Sequence, residues 1–289
     1  MKTLRVISLI VLCAAVPLGA AFAQQNVQLG QNGALRYWSA FAEMQDSAVS
    51  DQQAKELNLI LDGTAPYDDL KYRELAEKNR NAVETMARGT AIANCDWGID
   101  YALGQDAPVE YVRKALTLGR LNVLYSFHLL QNGDKDGAVR AIAAGVRFSH
   151  NVANGGSLFA ALVAKNLLVT HIRAMAFALH LEQLSSQQKS TLQKALNQIG
   201  QDGLDWQSAV KMEFEVPSLG LDAKGSSSLA QISAAYQSVL NNPSALARLQ
   251  QTIASAPQSV RDLIPNPQRV LDEKQDLANQ LGQMRSLLQ

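Results

Sequence analysis

Ser157–Glu182 reads SLFAALVAKNLLVTHIRAMAFALHLE. The stretch holds neither proline nor glycine and is rich in alanine and leucine, which are strong helix formers. At about 100° per residue, Asn166, Thr170, Arg173 and His180 fall on one narrow polar stripe, and the remaining circumference is apolar. A helix with that pattern is surrounded on most of its sides. The spacing therefore predicts the central helix of a helical domain, with Ser157 as its cap. Lys165, Asn166, His171 and Arg173 within the run speak against a bilayer span.

Outward from this segment the same character holds. No proline occurs between Pro108 and Pro217, and no stretch sustains the alternation of β-branched and polar residues that marks a strand. Upstream, Asn154-Gly155-Gly156 is a turn, preceded by a helix from Lys135 to Val152 in which Ala141, Ala144 and Gly145 allow a neighbouring helix close approach. Asn132-Gly133-Asp134 is the turn before it. Asp106 and Pro108 open a long helix to about Gln131, with Val112, Leu116, Gly119, Val123, Phe127 and Leu130 as its core stripe. Further helices are expected from about Asn32 to Asp46, from Asp51 to Leu61 with Gly63 as its stop, and from Tyr67 to about Ala91.

Downstream, Ser185-Ser186 caps a helix to about Ile199, and another is expected from Asp202 to about Glu215. The predicted fold class is all-α, an antiparallel helical bundle or short hairpin array with a looser helical C-terminal tail. Residues 24–216 form the expected core and 217–228 a linker or long loop. Residues 229–289 form the tail, divided into short helices by prolines and closing with an amphipathic helix from Gln268 to Leu288. Its Leu277, Leu281, Met284 and Leu288 can dock on the core or pair with another copy of the chain.

The N-terminus has the composition of a secretory signal. Lys2 and Arg5 precede an apolar run from Val6 to Leu18, and Ala21 and Ala23 form an A-x-A site, so cleavage is expected after Ala23. The run is shorter than the roughly 20 residues a spanning helix needs. Residues 1–23 are thus read as a signal peptide, the compartment as periplasmic or secreted, and the remainder as lacking a transmembrane helix. The whole chain carries 26 basic and 26 acidic residues; the signal takes Lys2 and Arg5 with it, leaving 24 against 26 and a net charge of −2. That balance offers nothing to a polyanion, so nucleic acid is not an expected partner. Cleavage also removes Cys13 and leaves Cys95 alone, so no intramolecular disulfide is available.

Cys95-Asp96-Trp97-Gly98-Ile99-Asp100-Tyr101 is the densest group of chemistry-bearing residues. Its aromatic rings offer stacking faces and its carboxylates can orient hydroxyl groups, which makes Cys95, Asp96, Trp97, Asp100 and Tyr101 a candidate ligand-binding set. The plainer reading gives Asp96 a capping role, Trp97 a place over the core, and Cys95 that of a small buried hydrophobe. His171, on the apolar side of the central helix, is either a sixth member of the set or a hydrogen-bonded core residue.

No catalytic residue is assigned. Ser186/Lys189 and Ser208/Lys211 are S-x-x-K strings without the accompanying S-D-N or K-T-G elements. No metal is expected either: His128, His150, His171 and His180 include no i, i+3 or i, i+4 pair and no H-E-x-x-H. No cofactor motif occurs.

Two resemblances add to this. Gly133-Asp134 followed by Ala138 resembles one hairpin of a tetratricopeptide repeat, without the 34-residue period. Asn32-Gly33-Ala34-Leu35-Arg36-Tyr37-Trp38, Phe41, the Cys95–Tyr101 segment (CDWG-x-DY) and Gly133-Asp134 are similar to a group of exported bacterial all-helical proteins of no known activity. That likeness implies export and helicity and carries no site. The resulting expectation is a binding or scaffold protein whose partner is a protein or a cell-envelope component. The alternative is a small-ligand binder or enzyme with its cleft around Trp97 and Asp100.

Overall fold

The computed structural model of the chain describes residues 31–45, 49–107, 109–181, 183–218 and 220–289. The expected signal peptide at 1–23 and the opening proline at 108 lie outside the described residues. The fold is all-α. Thirteen α-helices occur among the described residues, with no strand.

The first is α1 (Gly33–Glu43), capped by the Asn32 side chain, which accepts from the Ala34 N–H. Then come α2 (Asp51–Leu61), α3 (Asp69–Lys78) and α4 (Arg80–Gly89). Ser50 and Gln53 form a reciprocal capping box at the start of α2, and Gly63 past its end takes φ +71°, the left-handed stop the sequence implied. The single helix expected over 67–91 is divided at Asn79. This residue is 1 % exposed; its amide donates to Leu75 O (2.9 Å) and its Oδ1 accepts from Gln45 N (2.9 Å). A side chain that competes for backbone groups in this way ends one helix and permits the next to start.

A short 3-10 turn at Tyr101–Asp106 leads to the central hairpins, α5 (Glu110–Gln131), α6 (Lys135–Val152) and α7 (Leu158–Leu181). α5 packs on α6, and both pack on α7, as the short connections dictate. α3 lies on α5, and α1 lies on α4. Of the four residues placed on the polar stripe of α7, Asn166 and His180 are exposed and Thr170 and Arg173 half-buried, while His171 on the opposite side is fully enclosed. By length and composition α7 would suffice to cross a membrane, yet 61 % of its most apolar window is covered by neighbouring parts of the fold.

α8 (Ser186–Gln198) starts with the Ser185–Gln188 capping box and packs on α6. α9 (Trp206–Ser218) begins four residues later than its apolar pattern suggested, because Asp205 takes the cap position and accepts from both Ser208 N and Ser208 Oγ. α10 (Ala223–Asn241) starts inside the stretch read as a linker, where Asp222 accepts from Gly225 N and caps it. After a 3-10 turn at Pro243–Ala245 come α11 (Leu246–Ser255), α12 (Gln258–Arg261) and α13 (Pro267–Leu287).

α13 lies along α7 and touches α8. Its buried face is Val270, Leu271, Leu277, Leu281 and Met284. Polar contacts fix its register. Lys165 of α7, 8 % exposed, pairs with Glu273 (2.9 Å) and Asp276 (2.6 Å). Burial works against the charge on Lys165, but the two carboxylates prevail and hold its pKa above the usual lysine value. Arg285 donates to Leu196 O (3.0 Å) and to Gly200 O. Gly203 at φ +72° leaves room for the leucines of α13; a Cβ there would stand 2.8 Å from Leu281 Cδ1.

Leu281 is fully buried in this seam, so Leu281→Ala should cost about 2–5 kcal/mol. Because α13 packs on α7, the loss is expected to shift the entire denaturant transition, with circular dichroism and tryptophan fluorescence moving together. A tail that melted early and left the fluorescence transition in place would contradict this packing.

Candidate functional site

The Cys95–Tyr101 segment is tied to the start of α1. Asn32 ties the two segments of the junction together: its amide donates to Asp96 O (2.7 Å), its Oδ1 accepts from Asp96 N (2.9 Å), and the adjacent Gly33 N donates to Asn94 O (2.7 Å). The two separated motifs, one at Asn32–Trp38 and one at Cys95–Tyr101, therefore form a single structural unit.

Trp97 is 6 % exposed. Its ring stacks on Tyr111 at 4.2 Å and on Phe41 at 6.0 Å, with Tyr37 at 5.6 Å. Its Nε1–H donates to Asn151 O (2.9 Å), and the Cys95 Sγ lies 3.7 Å from the same carbonyl. Asn151 in turn donates from its amide to the Tyr37 hydroxyl (2.7 Å). Burial first, and the nearby Asp96 carboxylate second, push the Cys95 thiol up to about 12. The carboxylates of Asp96 and Asp100 are turned to local work, Asp96 accepting from Gly98 N (2.9 Å) and Asp100 from Ala102 N (2.9 Å).

His171 sits elsewhere, fully enclosed where α5, α6 and α7 meet. Its Nδ1 lies 2.8 Å from Leu167 O and 3.0 Å from Ser149 Oγ, and its Nε2 lies 3.1 Å from Asn122 Nδ2. A carbonyl can only accept, so Nδ1 carries the proton and Nε2 receives the Asn122 amide. Ser149 gives its own proton to Gly145 O (2.7 Å), and the second Asn122 N–H goes to Ala141 O (3.0 Å). Burial lowers the ring pKa from the usual 6.5 to about 4. The glycines flanking the ring are required by space. A Cβ at Gly145 would stand 2.1 Å from His171 Nε2, and one at Gly119 would stand 2.5 Å from Leu167 Cδ2.

The structure thus places Cys95 and Trp97 in the core, Asp96 and Asp100 at the surface, and His171 in a separate buried cluster. Tyr101 lines a cavity of about 390 Å³ with Glu213 and Phe159, at the N-terminus of α7. Glu213 accepts there from Leu158 N (3.0 Å), and burial raises its carboxyl pKa. A second hollow, about 840 Å³, lies at the C-terminal ends of α7 and α13, between Leu179, Leu181, Leu184 and Leu287, with His180 and Lys189 on its rim. A third, of about 350 Å³, is polar and lies between residues 90–93, α6 and the end of α8. Among the described residues, no three His, Cys, Asp or Glu side chains are grouped so as to hold a metal ion.

Sequence reasoning named neither Ser149 nor Arg147, which lines the third cavity. Both lie on an α6 whose apolar pattern is continuous, and only the positions of α7, α8 and the loop after α4 make them neighbours.

Two outcomes follow from the His171 cluster. The folded-state pKa is depressed, so the unfolded chain binds the proton first. The associated stability is full above about pH 6.5 and is lost as the pH falls toward 4, on the order of 3 kcal/mol over the window. Denaturant titrations at pH 7.5 and pH 4.5 should show this slope in the native chain and a flatter one in His171→Leu. Gly145→Ala should cost about 1–3 kcal/mol at any pH, through overpacking, which thermal melts of the variant would measure.

No protein-family model, no curated protein and no solved structure matches the chain.

Proposed function

We propose that the chain is an exported helical binding protein, cleaved after Ala23, that holds a segment of another envelope protein in the leucine-edged hollow at the ends of α7 and α13. The observation that carries this reading is the hollow itself, about 840 Å³ in volume, whose edges leave Leu181 50 % and Leu287 62 % exposed. Large side chains left open around one concavity are the usual mark of a protein contact. The described rim bears His180 and Lys189 and no carboxylate. The occupant that fits is an amphipathic helix with apolar residues at i, i+3, i+4 spacing and acidic residues flanking them.

Export rests on the basic, apolar and small-residue order of the first 23 residues. Intact mass of the protein from an envelope fraction should correspond to a chain beginning at Gln24. A full-length mass in that fraction would count against cleavage.

The interface is tested with Leu181→Asp combined with Leu287→Asp. Both positions are exposed, so the fold should survive. Capture from envelope extract by the native chain should retain a protein that the double variant releases, with affinity reduced at least tenfold. Identical protein sets on both baits, or a native chain that only self-associates through this surface, would overturn the reading.

A further inference from the structure

From the third cavity, we infer that this protein binds a small organic monocarboxylate between α6, the end of α8 and the loop after α4, with Arg147 as the group that receives the carboxylate. The site does not depend on the hollow at the ends of α7 and α13 and shares no lining residue with it.

Arg147 carries a charge that no described side chain pairs. Arg147 is half-buried in α6, and its Nε is fully covered with no hydrogen-bond partner. No carboxylate among the described residues pairs with it, and none lines the cavity. Arginine cannot escape such a position by losing its proton, as a buried lysine can. Of its guanidinium nitrogens only Nε is covered without a partner, and an anion set against the terminal nitrogens would give this charge the hydrogen bonds no described side chain supplies.

The surroundings are those of a receptor for a small polar molecule. The cavity measures about 350 Å³, at the lower end of the size of ligand sites. Asn154 and Gln198 line it, and their side-chain amides make no hydrogen bond to any described residue. His150 is oriented by its Nδ1 contact to Gly203 O (2.7 Å). Ile92 and Ile199 supply apolar wall.

Arg147 is the only fixed positive charge among the lining residues, which matches one carboxylate better than a doubly charged phosphate. The planar guanidinium also suits the planar carboxylate.

The floor of the cavity is rigid. Asn151 lies in its wall, and its carbonyl is clamped from behind by Trp97 and Cys95. The Cys95–Trp97 part of the candidate segment thus stands behind this cavity and holds α6 in place. This is the preorganisation a small-ligand site needs.

The test uses the mature chain and a panel of probes: acetate, hexanoate, benzoate and N-acetylglycine, with N-acetylglycinamide and inorganic phosphate as comparisons. Ligand-observed NMR and calorimetry should find at least one of the carboxylates bound at millimolar concentration or tighter, with N-acetylglycinamide not bound. Arg147→Met should weaken that binding at least tenfold. Its melting temperature without ligand should equal or exceed that of the native chain, a result a merely structural arginine would not give. Arg147→Lys should restore part of the affinity. If Arg147→Met fails to fold, Asn154→Ala and Gln198→Ala, at the edge of the cavity, should each weaken binding several-fold. Absence of binding by all four carboxylates, equal binding by Arg147→Met, unchanged binding by both edge variants, or binding of phosphate alone would overturn the proposal.

Discussion

The fold depends on how closely α5, α6 and α7 approach one another, and that approach is set by two missing side chains. Gly119 and Gly145 open a slot just wide enough for an imidazole ring. His171 fills it, and its partners come from all three helices: Asn122 from α5, Ser149 from α6 and Leu167 from its own turn. A ring bonded on both nitrogens admits one rotation and one depth for α7 against its neighbours, whereas apolar contacts alone tolerate small slips. The arrangement is also demanding, because every polar group in it is closed off from water. The Asn122 Oδ1 is in fact left without a partner, a cost tolerated where the other bonds of the cluster hold.

Around that three-helix centre the remaining elements attach by a different kind of contact. α1 and α4 meet through Gly89, where a Cβ would stand 2.6 Å from the Tyr37 ring. The Trp97 stack then joins this pair to α5 and α6. On the other side, α13 is held by leucines in its seam and by the Lys165 ion pairs at its edge. The aromatic contacts are deep and apolar. The ionic ones are part-exposed and so weaker and more sensitive to salt.

Most of the helical architecture was legible from periodicity and punctuation. α2 and α6 fall on the expected residues, and the buried side of α7 is the side its pattern indicated, His171 included. Asn79 was not legible as a break, because a polar residue on a helix surface looks the same whether it faces water or turns back to Leu75 O and Gln45 N. The start of α10 within an apparent linker turned on one cap, Asp222, in a run of small polar residues. The candidate site was legible only as a cluster of unusual residues. Whether Trp97 offered its face to a ligand or to Tyr111 depended on where α5 lay, and Lys165 and Arg147 differ in that partners from α13 reach one and none of the described residues reaches the other. Such distinctions belong to the three-dimensional arrangement and leave no trace in local spacing.

The setting of Cys95 bears on the chemistry of oxidation. The thiolate is the form that attacks a disulfide or a peroxide, and a thiol held at about 12 exposes roughly one thiolate in 10⁵ at neutral pH. Only 8 % of Cys95 is exposed, and its thiol donates toward Asn151 O. In an oxidising compartment the native fold would therefore keep Cys95 reduced without help from a reductase. The unfolded chain has no such protection, so mixed disulfides and cross-linked dimers would accumulate from molecules that have lost the Trp97 stack. Redox state in this protein thus records folding history.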